Sequence, residues 1–203
     1  MRLPIYFLID TSLSMSGKPI EKVERCINGT LKTLKSNSKA CEDAILSIIT
    51  YGNNKVYDLI GYKEILEVGV QKFHCSGFSN INYGLEAVKD NYNKNFIKTT
   101  TEKKGDWKPM LFVFSGIAPT TKIDNSLIDF FEKKFSHGHL DHIESFVGKE
   151  FENISEKANY TLIVTSENEF ARNSFENYFT NVFSYEDVDS FVYKFNNFFR
   201  WNS

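Results

Sequence analysis

The chain has 203 residues, of which 41% are hydrophobic and 25% charged, and this length favours one domain with one substantial core. The formal net charge is −2 and there is no dense Lys/Arg block, so the sequence shows no pattern for binding nucleic acid or a membrane surface. No apolar stretch is long enough for a signal peptide or a bilayer span. The three widely spaced cysteines favour free thiols in a reducing compartment, so we expect a cytoplasmic protein that binds neither nucleic acid nor membranes.

The first part of the chain predicts a strand, a helix and a β-hairpin. The run "PIYFLID" (residues 4–10) is a short continuous apolar run that ends in polar turn residues, which is typical of a strand buried on both faces. In "PIEKVERCINGTLKTLKSN" (19–37) apolar residues recur every three or four positions after an opening proline, which predicts an amphipathic helix. A second buried strand, "AILSIITYG" (44–52), runs into a Gly-Asn-Asn turn and "NNKVYDLIGY" (53–62), which together predict a hairpin.

The rest of the chain alternates between strands and helices. Strands are predicted in "KPMLFVFSGIAPTT" (108–121), "NYTLIVTSEN" (159–168) and, as a short edge strand, "TNVFSYED" (180–187). "GFSNINYGLEAVKDNYNKN" (77–95) reads as a polar loop that leads into a helix. Further helices are predicted in "SLIDFFEKKF" (126–135), "EFARNSFENYF" (169–179) and "VDSFVYKFNNFFRW" (188–201). This alternation predicts an α/β fold, a three-layer open, mostly parallel sheet with helices on both faces and one antiparallel edge strand.

One carboxylate and two hydroxyls follow the first strand at alternate positions, in the pattern D-x-S-x-S: Asp10, Ser12 and Ser14. In an open parallel sheet, ligands bind beyond the carboxyl ends of the strands, which is where this loop lies. Hard cations such as Mg²⁺ take oxygen ligands of this kind. Ser and Asp are also ordinary turn and cap residues, so the pattern alone is weak and its position after a buried strand is what favours a site.

These residues resemble the von Willebrand factor A (VWA) domains, whose metal-ion-dependent adhesion site opens with D-x-S-x-S after the first strand. The stretches "LPIYFLIDTSLSM", "LSIITYG" and "FNNFFRW" look closest to the bacterial tellurium-resistance TerY-like branch. The resemblance covers the chain as a single VWA-like domain, 1–203, with an insertion around 136–157. It implies a VWA or Rossmann-like fold and a non-enzymatic protein–protein interaction module in a bacterial tellurium- or stress-resistance system.

The resemblance also implies the metal ligands. Asp10, Ser12 and Ser14 match the first loop, and "GFSNINYGL" places Ser79 where the family has a threonine ligand. In "FSGIAPT", Ser115 replaces the family's third-loop Asp and one residue is inserted before Pro119. Because affinity for a hard divalent cation depends on ligand charge, we expect a partly degenerate site that binds Mg²⁺ or Mn²⁺ weakly. The alternative is an empty site in a domain that serves as a scaffold.

If the site binds metal, the resemblance implies that a carboxylate from a partner protein completes the coordination. Met15, Phe78 and Ile117 lie on the three loops that would surround the ion. We expect them to form an apolar rim that contacts this partner, the alternative for each being burial under a neighbouring loop.

A second motif competes with the first. "SHGHLDHIESF" places His137, His139, Asp141 and His142 in the spacing H-x-H-x-D-H, which resembles the zinc motif of the metallo-β-lactamase superfamily. No histidine follows His142, although that superfamily needs further ligands downstream, and the preceding "DFFEKKF" reads as a helix rather than a buried strand. A local zinc site, a metal-dependent hydrolase and a solvated surface segment therefore all remain open.

Overall fold

A computed structural model of the chain describes residues 2–53, 55–116, 121–135, 161–165, 173 and 181–184, and six strands of these form one sheet. The spatial order is β3-β2-β1-β4-β5-β6. β3 pairs antiparallel with β2 and every other neighbouring pair is parallel, which confirms the predicted open, mostly parallel sheet with one antiparallel edge strand. In chain order the strands are β1 (Leu3–Asp10), β2 (Ala44–Gly52), β3 (Lys55–Glu64), β4 (Met110–Phe114), β5 (Thr161–Thr165) and β6 (Asn181–Ser184).

Four described α-helices accompany the sheet: α1 (Lys18–Lys35), α2 (Ser38–Asp43), α3 (Ile81–Asn95) and α4 (Asn125–Lys134). The amphipathic pattern located α1, α3 and α4, whereas the six-residue α2 is too short to give a periodic signal and was not predicted. The Asn37 side chain caps α2 by accepting a hydrogen bond from the Ala40 N–H. Two single 3-10 turns lie at Leu13–Met15 and Ile65–Glu67.

The hydrophobic core has two parts, one on each face of the sheet, because successive strand residues point to opposite faces. Ile5, Phe7 and Ile9 of β1 pack with the buried face of α1. Tyr6 and Leu8, between them in sequence, pack with α3 and α4 on the other face. Every residue of β1 and β2 is buried, which explains why both strands are mainly apolar in the sequence.

A polar cluster, which we call the amino-end cluster, lies at the start of β1. The Asp106 side chain is only 2% exposed and accepts two hydrogen bonds from the Arg2 guanidinium, Nε to Oδ1 and Nη2 to Oδ2, both at 2.8 Å. The Tyr62 hydroxyl and the Ile97 N–H also donate to Oδ2, at 3.1 and 2.9 Å. Arg2 also lies over the Tyr62 ring, 5.1 Å from its centroid. The cluster therefore joins β1, β3 and the segment before β4.

The predicted insertion around 136–157 and the helices predicted at 169–179 and 188–201 fall outside the described ranges, apart from Asn173. All three cysteines, Cys26, Cys41 and Cys75, are free thiols. Among the described residues, no helix is both long enough and apolar enough to cross a membrane.

Candidate metal centre

The candidate site lies at the carboxyl end of β1, where the order of the strands reverses. β1 is flanked by β2 on one side and by β4 on the other, so the loops that follow β1 and β4 leave the sheet side by side. Such a switch point is the usual ligand-binding position in an open α/β sheet. Asp10 ends β1 and Ser115 directly follows β4, so the topology alone brings these two residues together.

Asp10 is fully buried and lies at the centre of the site. Its Oδ1 accepts a hydrogen bond from the Ser12 N–H at 2.8 Å. Its Oδ2 accepts one from the Ser79 hydroxyl at 2.8 Å and one from the Ser115 hydroxyl at 3.1 Å. The hydroxyls of Ser12 and Ser14 share a further hydrogen bond, with 2.9 Å between their Oγ atoms. The fold thus brings together all five residues that the sequence proposed as metal ligands.

Backbone hydrogen bonds fix the loops that carry these side chains. The loop after β1 bonds to the end of β2 and to the segment that leads into α3, and that segment bonds in turn to the β2–β3 turn. The four bonds run from Thr11 N to Tyr51 O (2.8 Å), Ser76 N to Thr11 O (2.7 Å), Leu13 N to Gly77 O (3.0 Å) and Asn53 N to Phe78 O (2.9 Å). The site is therefore held by the backbone, and not by the side-chain hydrogen bonds alone.

Two glycines permit this close approach of the loops. Gly77 has a φ of +65°, which non-glycine residues rarely adopt, and a Cβ there would overlap Asn53. A Cβ at Gly52 would lie 2.9 Å from the carbonyl oxygen of Thr11. This contact gives a packing reason for glycine at position 52.

The charge of Asp10 has no counterion in the described part of the chain. Among residues 2–53, 55–116 and 121–135, no Lys, Arg or His forms an ion pair with it, and its three hydrogen-bond donors are all neutral groups. The possible metal ligands are one carboxylate and four hydroxyls, all of them oxygen, which suits a hard divalent cation such as Mg²⁺ or Mn²⁺. These residues therefore fit such an ion, with a single negative charge supplied by the protein.

Cys75 lies near the site and adds no charge to it. Burial raises the pKa of the Cys75 thiol, and the negative charges of Asp10 and Glu24 raise it further, against a hydrogen bond with Ser16 that lowers it. The group therefore remains a neutral thiol at physiological pH, whereas a metal would bind the thiolate. No prediction placed Cys75 near the site, although its position four residues before Ser79 was an available signal.

The rim prediction is wrong for Met15. Its side chain is 0% exposed and packs into the core on the α1 face, because the 3-10 turn Leu13–Met15 directs it inward. Leu13 is instead 62% exposed, although it was not among the predicted rim residues. Its position between two hydroxyl residues, Ser12 and Ser14, was the available signal. Phe78 is 80% exposed, and Ile117 falls outside the described residues.

The competing motif cannot be placed. His137, His139, Asp141 and His142 all fall outside the described ranges. Within the described ranges, no group of three or more His, Cys, Asp or Glu side chains is arranged to hold a metal ion.

Comparison with known proteins identifies the fold. No protein-family model matches the sequence, and a search of curated proteins found no match either. Solved structures do match. The chain aligns with the vWF domain of the type V pili tip protein Mfa5 from Porphyromonas gingivalis at 13% identity and a TM-score of 0.55, covering 100% of this chain and 97% of that one.

Two further structures have the same fold. The VWA domain of SpRpn10 matches at 11% identity with a TM-score of 0.53, covering 93% of this chain and 94% of that one. The manganese-loaded TRAP protein of Plasmodium vivax matches at 15% identity with a TM-score of 0.55, covering 98% and 73%. The chain spans less than half of some other matched structures, 44% of one and 45% of another. At these identities the likeness establishes the fold, which is that of a VWA domain.

Proposed function

We propose that this chain, which has the VWA fold, is a non-enzymatic protein–protein interaction module whose partner binds at the carboxyl end of β1 through a divalent cation. The observation that carries the proposal is the buried Asp10, which accepts hydrogen bonds from neutral donors and has no counterion among the described residues. Buried charges in proteins are almost always paired or bound to metal. A bound divalent cation would pair this charge.

The residues would share the work of holding the ion. Asp10 would supply the charged ligand, and Ser12, Ser14, Ser79 and Ser115 would supply hydroxyl oxygens, directly or through water. When bound, Mg²⁺ or Mn²⁺ supplies a positive charge that can take a carboxylate from the partner. The hydroxyls of Ser79 and Ser115, which donate to Asp10, would keep those donations while their lone pairs face the ion.

The manganese-loaded neighbour supports this proposal at the level of the fold only. For the cellular setting we propose the cytoplasm, which three free thiols and the lack of a membrane-spanning helix among the described residues both permit. We further propose a role in a bacterial tellurium- or stress-resistance system. That part is supported only by the resemblance of "LPIYFLIDTSLSM", "LSIITYG" and "FNNFFRW" to the TerY-like branch.

The metal site can be tested by nuclear magnetic resonance of the ¹⁵N-labelled chain with substoichiometric Mn²⁺. A paramagnetic ion broadens the amide signals that lie near it. We expect selective broadening of the signals of Ser12, Ser79 and Ser115, and no effect on Ile97 in the amino-end cluster. Asp10→Asn should abolish the broadening without changing the remaining spectrum, because it removes the ligand charge and retains the shape.

The same spectra separate the proposal from its competitor. Broadening centred on His137, His139 and His142, unaffected by Asp10→Asn, would contradict the proposal and favour a metal-dependent hydrolase or local zinc site at H-x-H-x-D-H. Asp43→Asn is the matched control, since Asp43 forms a partly exposed ion pair with Lys39 on α2, away from the site. It should leave the broadening unchanged.

A further inference from the structure

We propose that Leu13 and Phe78, which we call the Leu13–Phe78 pair, present an apolar surface to the partner. This surface selects partner segments that carry a large apolar residue next to an acidic one. The inference rests on the proposed function, because the acidic residue would bind the cation at Asp10. It adds a specificity that the oxygen ligands cannot provide, since a metal-bound carboxylate is the same in every acidic segment.

The two side chains are attached directly to the candidate ligands. Leu13 lies between Ser12 and Ser14, and Phe78 immediately precedes Ser79. The Leu13 N–H donates to the Gly77 carbonyl at 3.0 Å, so the two loops are joined at the position of the pair. The distance from the pair to Asp10 is therefore fixed by the backbone, and a residue adjacent to a bound carboxylate would come within reach of it.

Both side chains are held ready for contact. Leu13 is 62% exposed and Phe78 is 80% exposed, whereas Met15 on the same 3-10 turn is fully buried. The Asn53 N–H donates to the Phe78 carbonyl at 2.9 Å, and Gly77 adopts a conformation that other residues would strain to reach. Aromatic residues, Phe included, are enriched at protein–protein interfaces. A preorganised backbone loses little conformational entropy on association.

Charge complementarity identifies the occupant. A divalent cation with Asp10 as its one protein carboxylate leaves a net positive charge at the site, so the partner must bring an anion. A free phosphate or a small carboxylate would satisfy that charge but would leave the Leu13–Phe78 pair in water. A protein segment with Asp or Glu beside Leu, Ile or Phe satisfies both, and it is the occupant we propose.

Short peptides with blocked ends provide the test. In one set a central Asp is flanked by Leu on one side or on the other, in a second Ser replaces Leu, and in a third Asn replaces Asp. With Mg²⁺ present, we expect at least one Leu-Asp peptide to bind about tenfold more tightly than the Ser-Asp peptide, as measured by chemical-shift titration. The double variant Leu13→Ser with Phe78→Ser should reduce this preference to about onefold while Mg²⁺ affinity stays the same.

The matched control uses an equally exposed apolar residue elsewhere. Leu66 is 62% exposed, like Leu13, and lies in the 3-10 turn that follows β3. Leu66→Ser should leave the preference for the Leu-Asp peptide unchanged. Unchanged thermal unfolding of each variant would show that it folds.

The other outcomes of the peptide titrations separate failure of this inference from failure of the proposed function. Equal binding of the Leu-Asp and Ser-Asp peptides to the wild type, with both lost in EDTA, would overturn the inference and leave the proposed function standing. A preference for Leu that survives the double variant would also overturn it, as would no binding of any peptide by the Mg²⁺-loaded protein. Equal binding of the Asp and Asn peptides would contradict the proposed function itself.

Discussion

β1 carries a buried aspartate at one end, and a second buried aspartate packs against its other end, yet the two carboxylates have different surroundings. Asp106, in the amino-end cluster, is bound by the guanidinium of Arg2 through two hydrogen bonds of 2.8 Å. Asp10, at the carboxyl end, accepts its hydrogen bonds from two hydroxyls and an N–H, none of which carries a charge. The first carboxylate is neutralised by Arg2, whereas no described residue neutralises the second.

This difference separates a structural carboxylate from a candidate functional one. Burial by itself would raise the pKa of Asp106, but the hydrogen bonds from Arg2 and the Ile97 N–H, with the Arg2 charge, outweigh it and hold that pKa below its ordinary value. Asp106 thus stabilises the fold as it is. At Asp10 no charged group among the described residues compensates the buried charge, so under the proposed function its full contribution would depend on a bound cation.

The largest expected effect on stability comes from removing Asp106, whose charge is compensated by Arg2. Asp106→Ala should lower the free energy of unfolding by about 3 kcal/mol, because it leaves the Arg2 charge partly buried and removes an acceptor from Tyr62 and Ile97. Asp10→Asn, in metal-free buffer, should change it by less than about 1 kcal/mol, since no counterion is stranded. Urea denaturation measures both. Equal losses would contradict the distinction between the two ends.

Ser115→Asp sharpens the comparison by adding charge to the uncompensated end. Its carboxylate would lie against Asp10, whose Oδ2 is 3.1 Å from the Ser115 hydroxyl, so stability in EDTA should fall by about 1–2 kcal/mol. Mg²⁺ affinity should rise about tenfold or more because the ligand charge doubles. Calorimetric titration measures the affinity. Ser115→Asn has a similar shape without the charge, and an equal gain in affinity there would exclude ligand charge as the cause.

Acid should weaken the amino-end cluster. Because the pKa of Asp106 is lower in the folded chain than in the unfolded one, its contribution to stability is complete above the ordinary pKa of about 3.9 and is lost as the pH falls through the folded value. The difference in unfolding free energy between the wild type and Asp106→Asn should therefore narrow below about pH 4. A difference that stays constant down to acid unfolding would show that the ion pair contributes nothing.

The smallest expected effect concerns the exposed pair beside Asp10. Leu13→Ser with Phe78→Ser should change the free energy of unfolding by less than about 0.5 kcal/mol, because both side chains are largely in water. Met15→Ser, two residues after Leu13, should cost about 3 kcal/mol, because it replaces a fully buried side chain. Thermal unfolding compares them. Similar losses for both would show that the pair is part of the core.

The succession of strands and helices could be predicted from the sequence, because the signals for these elements are local. β1 and β2 are buried on both faces and read as mainly apolar runs, and α1 carries its apolar residues at helical spacing. The hairpin of β2 and β3 was predicted from its turn. α2 was missed because six residues are too few for a period to show.

The five proposed ligands come together in the fold, whereas the surroundings of the site were not predicted. Asp10, Ser12 and Ser14 form a motif, whereas the burial of Met15 depends on how one 3-10 turn packs against α1, which no spacing rule describes. The pairing of Arg2 with Asp106 spans 104 residues and left no local pattern. Contacts of this kind depend on tertiary packing between distant segments, which a single sequence does not reveal.

Calorimetric titration of Mg²⁺ into the metal-free chain and into Asp10→Asn tests the central claim most directly. The uncompensated carboxylate predicts one bound ion for the wild type, no binding by Asp10→Asn, and unchanged binding by Asp43→Asn. Absence of binding by the wild type, or equal binding by Asp10→Asn, would contradict the claim that Asp10 is completed by a cation.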